Sequence, residues 1–496
     1  MTQQSKKSVA HRLLGHAGIY AMGNILRQLA GFLMLPIYTR YLTPADYGVV
    51  GLMIFAISLM ELVFGARLYW AIPKYYFDTK DKKLQASLVS TAMILTGAIS
   101  AAAAIAMVFL RQPISKGLYG TPEFASIVGF FSVLLLTQSL EEYALVYLRL
   151  QQRPWFYITV SFFRLAIQLG LNVWFVVSLE MGAMGVAVSS MISSSIFALL
   201  LLAYTLRQVG WHFNGAIAEK MIRFCWPLWL GGFAGLYIGS ANRYYLRIFT
   251  SLDDIGLFEL AVKFSTIITV LIWGPFATYW QVERFNYYRQ GNAESIFQNV
   301  FYFISTLMVV AAIGISIFAG PVIRIMAAPT FYRASEAVPF LAFGAVFGSL
   351  VIFSNFSFLA KEKTGWISRN NYLTAAVVTV LYLSLIPMAG HVGAAMALML
   401  AQAVQFFVVH RASRSVYDMG ISLRPLVGML FISAVVCFLA NVVLTSDSLL
   451  HDLAVKTLLY AVACGIILLP HWRNAETRRL LHELAPRFFP KHATDI

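Results

Sequence analysis

Charged residues are scarce in this sequence. Aspartate, glutamate, lysine and arginine make up 12% of the 496 residues, whereas hydrophobic residues make up 59% and the mean hydropathy is +0.72. A soluble domain carries roughly 25% charged residues, so this chain has too few to cover a surface that faces water. Its apolar runs are about 20 residues long, which matches the thickness of the hydrocarbon core of a bilayer. We therefore predict a membrane protein.

The sequence also lacks the motifs of several classes of enzyme and metal site. It has no Gly-x-x-x-x-Gly-Lys-Ser/Thr phosphate loop, no His-Glu-x-x-His and no paired Cys-x-x-Cys. Its three cysteines fall inside apolar runs, where we interpret them as buried thiols. The loops that we place on the outer side of the membrane, between the predicted helices, are short and poor in acidic residues. This composition disfavours catalysis on that side. We predict no enzyme activity, no metal and no cofactor.

Long apolar runs without interruption indicate the fold class. Residues 86–110 lack the alternation of a barrel strand, and backbone polar groups in lipid must be satisfied internally, so we predict an all-α polytopic fold. Fourteen transmembrane helices are placed at residues 17–38, 47–69, 86–110, 124–148, 155–178, 182–205, 222–246, 255–280, 296–318, 337–359, 367–387, 390–410, 424–444 and 453–470.

The basic residues indicate the orientation of these spans. Of the 37 lysines and arginines, 25 lie in the two tails and alternate links, 7 lie in the links on the opposite side and 5 lie within spans. Cytoplasmic loops carry the excess of lysine and arginine, so both termini are predicted to be cytoplasmic. This distribution accounts for the net charge of +15 without a nucleic-acid partner.

One short turn returns later in the chain. Asp46-Tyr47-Gly48 recurs as Asp254-Ile255-Gly256, 208 residues on, and the same shift lays residues 182–188 over residues 390–396. We interpret this as two parallel six-helix lobes, as in parallel transporter repeats. The predicted divisions are a first lobe at 1–205, a cytoplasmic linker at 206–221, a second lobe at 222–411, two extra helices at 412–470 and a cytoplasmic tail at 471–496.

The turn itself has a structural interpretation. Pro44 and Gly48 suit a tight turn between the first two helices. Asp46 can cap the start of the helix that follows. We therefore expect the turn to serve the fold rather than to bind cargo.

Three stretches carry a resemblance to a known family. They are "LPIYTRYLTPADYGVVGLMIFA" from residue 35, "IRFCWPLWLGG" from residue 222, and the Gly-x-x-Gly-x-Ala helix starts at Gly182 and Gly390. The sequence resembles the polysaccharide-transporter family, which comprises Wzx-type oligosaccharide flippases of the MATE-like superfamily. The resemblance implies two lobes around a central cavity and alternating access.

The resemblance also implies a cargo and partners. The cargo would be undecaprenyl-diphosphate-linked oligosaccharide, moved across the bacterial inner membrane for O-antigen, capsule or exopolysaccharide synthesis. Membrane lipids, a polysaccharide polymerase and a chain-length regulator are the other partners that the resemblance implies.

Ionisable residues inside the predicted spans are the candidates for binding that cargo. Each is costly in lipid, and a basic group, arginine above all, can bind the diphosphate of a lipid-linked glycan. We predict that Arg27, Arg164 and Lys263 bind cargo. The alternative is an internal ion pair that only fixes helices, such as Glu259–Lys263 or Glu61–Arg164.

Other residues are candidates for supporting roles. Arg243 and Lys456 are expected to extend towards the membrane surface. Proline and glycine can bend a helix, so three positions are candidate hinges, with a static kink as the alternative: Pro227, Gly274 and Pro275. The candidates for a charge relay or an ion pair are Glu61, Glu141, Glu142 and Glu259.

Two other functions are considered. A cation-coupled multidrug exporter would share the superfamily fold, but its cationic cargo would favour acidic cavity residues over the basic ones found here. A non-transporting assembly scaffold would need docking surface, which the short loops do not offer.

Overall fold

The structure of the chain is a computed structural model that describes residues 31–32, 34–63, 67–289, 294–444 and 448–473. The predicted all-α multi-pass membrane fold is confirmed, since ten of the described helices are long and apolar enough to cross a membrane. The number of fourteen spans stays a prediction, because most of the first span lies outside the described residues. The chain forms two compact units, Met1–Glu259 and Leu260–Ile496.

The first unit is built from eleven described helices, the last of which continues into the second unit. They are α1 (Leu35–Tyr41), α2 (Pro44–Val63), α3 (Ala71–Phe77), α4 (Lys82–Phe109), α5 (Arg111–Tyr119), α6 (Ala125–Leu150), α7 (Pro154–Asn172), α8 (Gly182–Val209), α9 (Gly215–Ser240), α10 (Asn242–Phe249) and α11 (Leu252–Ile268). A short 3-10 helix, Arg67–Trp70, precedes α3, and a π-helical segment, Val173–Ser178, extends α7.

The second unit continues from α11. Its further helices are α12 (Gly274–Arg289), α13 (Glu294–Met326), α14 (Val338–Ser354), α15 (Phe356–Ala360), α16 (Gly365–Val416), α17 (Arg424–Phe438) and α18 (Leu449–Arg473). A 3-10 helix, Pro329–Glu336, precedes α14. The core of this unit is a cluster of buried apolar side chains in which α12, α13, α14 and α16 meet.

Polar side chains fix where several helices begin. The Asp81 side chain accepts a hydrogen bond from the Lys83 amide at 2.9 Å, and Asn214 accepts from the amides of Ala216 and Ile217 at the start of α9. These are the N-cap interactions that satisfy backbone donors left free at a helix start.

The turn that the sequence predicts between Pro44 and Gly48 is part of a helix in the structure. Pro44 is already the first residue of α2, and Gly48 lies inside that helix, so the tight-turn role of both residues was wrong. Proline is compatible with a first helical turn because the amide that it lacks would have no helical acceptor there. The predicted capping by Asp46 is confirmed: its carboxylate accepts from the amide and hydroxyl of Thr43 at 3.0 and 2.8 Å.

Helix bounds agree under the 208-residue shift. Leu35–Tyr41 falls on Asn242–Phe249, and Pro44–Val63 begins where Leu252–Ile268 begins. Gly182 and Gly390 both have positive φ, at 56° and 53°, a conformation that glycine adopts without steric cost. The lobe boundaries themselves stay a prediction.

Three further predictions concern breaks and buried charge. Non-helical backbone angles at Ala389 and Gly390 separate the two predicted spans that α16 joins. A π-helical segment, Thr269–Trp273, stands directly before Gly274, which is where a bend was predicted. Lys456 does not extend to the membrane surface: its ammonium lies 3.0 Å from Asp452 Oδ2, and both side chains are buried.

Candidate functional site

One of the predicted cargo-binding residues, Arg27, lies outside the described residues. The other candidates lie on α2, α6, α7 and α11. The hinge candidate Pro227 lies within α9, while Gly274 and Pro275 are the first two residues of α12. Whether these three positions bend during transport stays a prediction.

The structure brings together two of the candidates in the first unit. Arg164 of α7 places its Nε 3.1 Å from Oε1 of Glu141 on α6. The Glu141 side chain is 3% exposed, whereas the Arg164 side chain is 22% exposed. The ion pair that was weighed for Arg164 therefore exists, but with Glu141 in place of Glu61. Glu61 lies on α2 and is half-buried.

Hydroxyl groups from α6 and α8 complete the surroundings of this pair. Ser194 donates to Glu141 Oε2 at 3.4 Å, and Thr137 donates to the Ser194 hydroxyl at 3.0 Å. Ser193 donates to the backbone carbonyl of Arg164 at 3.2 Å, which ties α7 to α8. Both carboxylate oxygens of Glu141 thus have a partner, and a buried carboxylate is stable only when it is paired in this way.

The Arg164 side chain stays partly exposed in this arrangement. Its Nε faces Glu141, and its planar fork carries further N–H donors at the two Nη atoms. Guanidinium donors of this kind form charge-assisted hydrogen bonds with anions such as phosphate. Glu142, the neighbour of Glu141, is 43% exposed and pairs with Arg149 at 3.1 Å instead.

A second ion pair, which is largely shielded from solvent, joins α10 to the middle of α11. Arg243 Nε pairs with Glu259 Oε1, and the two side chains are 12% and 16% exposed. Arg243 also donates to the carbonyl of Gly239 and to Asn242 Oδ1, both at 3.2 Å. Arg243 therefore does not extend towards the membrane surface as predicted. Glu259 pairs with Arg243 and not with Lys263, which was the alternative considered for it. Lys263 lies further along α11 and is half-buried.

The starts of α2 and α11 touch through two glycines that are 208 residues apart. A β-carbon on Gly48 would lie 2.9 Å from the carbonyl carbon of Leu252, and one on Gly256 would lie 2.7 Å from the carbonyl carbon of Pro44. Pro44 and Leu252 are themselves 208 residues apart, so the contact is reciprocal. Small residues of this kind let helix backbones approach closely in membrane proteins.

Hydrogen bonds hold both ends of this contact in position. Thr43 and Asp46 form a reciprocal cap at α2, in which the Asp46 amide donates to the Thr43 hydroxyl at 3.1 Å. At α11 the Asp254 amide donates to the Ser251 hydroxyl at 3.3 Å. Asp46 Oδ1 also accepts from the amide of Ala183 at 3.1 Å, which ties the start of α2 to the start of α8.

Sequence reasoning missed the close approach at Gly48 and Gly256, although it found the repeat that contains both. The sequence contains a signal for this contact. Gly48 and Gly256 occupy the same position in the first turns of two related helices, and small residues at such positions allow close backbone contact. The ion pair of Arg243 with Glu259 was missed because the two residues lie on different helices.

Comparisons with known proteins identify a matching family and similar folds. A family model described as polysaccharide biosynthesis protein matches residues 37–336. No curated protein matches the chain. The structure of the lipid II flippase MurJ in an inward closed conformation is 13% identical, with a TM-score of 0.74 over 92% of this chain and 99% of that one.

Two other solved structures are similar over most of their length. An inward-facing multidrug resistance MATE family transporter of the MOP superfamily is 16% identical, with a TM-score of 0.61 over 78% of this chain and 94% of that one. A MOP superfamily transporter from Pyrococcus furiosus is 16% identical, with a TM-score of 0.52 over 82% of this chain and 94% of that one. At these identities the likeness establishes a shared transporter fold.

Proposed function

Because the chain belongs to the polysaccharide biosynthesis protein family and has the fold of flippases and MATE transporters, we propose that it is a flippase for lipid-linked oligosaccharides. The cargo would be a polyprenyl-diphosphate-linked repeat unit, and the product would feed a surface polysaccharide such as O-antigen, capsule or exopolysaccharide. The membrane would be the bacterial inner membrane, with both termini in the cytoplasm. A polysaccharide polymerase and a chain-length regulator would act on the product.

The observation that carries this proposal is the partly exposed Arg164 on a buried carboxylate. A diphosphate brings at least two negative charges into the protein, and arginine binds phosphate through paired N–H donors. Glu141 orients the guanidinium from its buried side and leaves the remaining donors for the cargo. Arg27 and Lys263 are proposed as the other cationic contacts.

Alternating access requires a contact that closes one side and can open. The crossing of α2 and α11 at Gly48 and Gly256 suits this role, because it depends on close approach of two backbones rather than on a bulky interlock. The excess of basic residues in the links on the opposite side supports an outer position for this crossing. We propose that it is closed while cargo binds from the cytoplasm and separates when cargo is released.

The proposal is tested by binding of the cargo to purified full-length protein. A fluorescent polyprenyl-diphosphate oligosaccharide is titrated against the wild type, Arg164→Gln and the control Arg149→Gln, which removes a more exposed arginine paired with Glu142. Loss of a charge-assisted bond costs about 1.5–3 kcal/mol, so Arg164→Gln is expected to weaken binding at least about tenfold. Arg149→Gln is expected to bind as the wild type does.

Two results would contradict the proposal. Equal affinity of the wild type and Arg164→Gln would remove Arg164 from the cargo site. Tight binding of cationic dyes together with no binding of the lipid-linked glycan would favour a multidrug exporter of the same fold.

A further inference from the structure

Arg284 is a buried cation at the end of an apolar helix. It lies on α12, three residues beyond Gln281, where the apolar stretch that begins at Leu252 ends. The residue is only 7% exposed. A charged side chain just beyond a hydrophobic span lies at the depth of the lipid headgroups.

Two aromatic rings lie beside the Arg284 guanidinium. Its central carbon lies 5.1 Å from the centre of the Phe356 ring and 5.5 Å from the centre of the Phe285 ring. The Phe285 and Phe356 rings meet edge to face at 5.1 Å, and Tyr288 adds a third ring 5.9 Å from Phe356. These rings supply cation–π attraction, and they also keep water from much of the side chain.

Among the described residues, no acidic side chain pairs with Arg284. In the part of the chain that the structure describes, no carboxylate lies within 4.0 Å of its guanidinium nitrogens, and its buried Nε has no hydrogen-bond acceptor. The adjacent Glu283 accepts a hydrogen bond from Asn286 at 3.4 Å. Burial lowers the pKa of the Arg284 guanidinium below its ordinary value, because the charged form loses hydration.

Further polar atoms near this arginine lack partners among the described residues. One is Nε1 of Trp280, one helical turn before Arg284 on α12. Two others, the Ser354 hydroxyl and the Asn355 side-chain oxygen, belong to the segment between Phe353 and Phe356. Phe353 packs on Trp280 at 5.6 Å, so this segment runs alongside the same turn of α12.

We propose that Arg284 binds the phosphate group of a membrane lipid at the cytoplasmic end of α12. The phosphate would accept hydrogen bonds from the guanidinium and neutralise a cation that no described carboxylate compensates. The aromatic rings around the arginine would pack against the glycerol or polyprenyl part of the lipid. Lys361, whose ammonium lies 5.7 Å from the centre of the Tyr288 ring, adds positive charge to the same region.

The site goes beyond the proposed transport function, since it does not depend on Arg164 or on movement of the cargo. Two lipids could supply the same chemistry, namely a resident anionic phospholipid and a polyprenyl phosphate. Either source would place a phosphate at headgroup depth beside α12.

The test measures lipid binding to the purified full-length protein in detergent by native mass spectrometry. Phosphatidylglycerol, polyprenyl phosphate and phosphate-free diacylglycerol are compared on the wild type, Arg284→Gln and Arg284→Lys. The control is Arg289→Gln, which removes an exposed cation from the same helix. Arg284→Lys keeps the charge without the planar fork, so it tests the site even if Arg284→Gln is poorly folded.

We expect phosphate-bearing lipids to bind the wild type and the Arg289→Gln control equally, and diacylglycerol to bind neither. Dissociation constants should rise at least about tenfold in Arg284→Gln and by less in Arg284→Lys. A preference for polyprenyl phosphate would identify a polyprenyl lipid as the source, and a preference for phosphatidylglycerol would identify a resident phospholipid. Unchanged binding in both Arg284 variants, or equal binding of diacylglycerol, would overturn the proposal.

Discussion

Replacing Gly48 by alanine should disfavour the conformation seen here. The new β-carbon would overlap the Leu252 carbonyl oxygen and lie 2.9 Å from the carbonyl carbon, whereas carbon atoms pack at about 3.5–4.0 Å. The helices must therefore separate by roughly 1 Å or more. Extra methyl groups at well-packed positions cost about 1–3 kcal/mol. That cost corresponds to roughly 5- to 150-fold in the equilibrium between this conformation and one in which α2 and α11 are apart.

Distances between spin labels measure that equilibrium directly. Residues 40 and 248 are both exposed and differ by the 208-residue shift, so cysteines there report on the two sides of the crossing. The three native cysteines are first replaced by alanine or serine. We expect Gly48→Ala and Gly256→Ala each to raise the long-distance population. Their effects should not add in full, because both act on one crossing.

Gly129→Ala is the matched control for this experiment. Gly129 also lies in a long helix, but a β-carbon there would meet no atom within 4 Å. Alanine is a better helix former than glycine by about 1 kcal/mol, so this variant should leave the distances unchanged and stabilise the fold slightly. Distance distributions for Gly48→Ala that match those of Gly129→Ala would refute the reasoning.

Three further predictions concern stability, measured as thermal unfolding in detergent. Glu141→Gln should destabilise the protein by about 2–3 kcal/mol, less than a fully buried pair would, because Arg164 is partly exposed; an unchanged midpoint would mean that the pair contributes nothing. Lys456→Met should cost about 3–5 kcal/mol, while the double variant with Asp452→Leu should recover most of that loss, since an apolar pair of similar volume is tolerated; equal loss in both would contradict this. Thr43→Ala should cost about 1 kcal/mol through loss of the helix cap, and Thr43→Ser should cost little.

Much of the fold could be predicted from the sequence because its signals are local. Apolar runs of membrane length gave helices close to their observed bounds, and the Gly-x-x-Gly-x-Ala pattern placed the starts at Gly182 and Gly390. The shift of 208 residues relates Gly48 to Gly256, and the structure places both at the close approach of α2 and α11. These features depend on residues that are close in sequence or on simple repetition.

The partners in the candidate site could not be predicted in the same way. Arg164 was predicted to bind cargo, with an ion pair to Glu61 as the alternative, and the structure pairs it with Glu141 on the preceding helix of the chain. Glu259 has Lys263 at a favourable spacing on its own helix, yet it pairs with Arg243. Which acidic residue pairs with an arginine depends on how the helices rotate and pack against one another. The position of the arginine along its predicted span does not reveal that partner.

Buried charge near a span end was also misjudged. Lys456 lies close enough to the end of its span to reach water, but Asp452 one turn earlier offers a buried partner. An i,i+4 pair of opposite charge is visible in the sequence. That spacing could have indicated the pair.

The most direct test of the proposed function follows cargo across a membrane. Protein is reconstituted in liposomes with a labelled polyprenyl-diphosphate oligosaccharide, and the fraction of label that becomes accessible on the other leaflet is measured over time. The account predicts protein-dependent transfer that falls at least about tenfold in Arg164→Gln and is retained in Arg149→Gln. Absence of transfer for every glycan tested, with protein-dependent export of cationic dyes from the same liposomes, would contradict it.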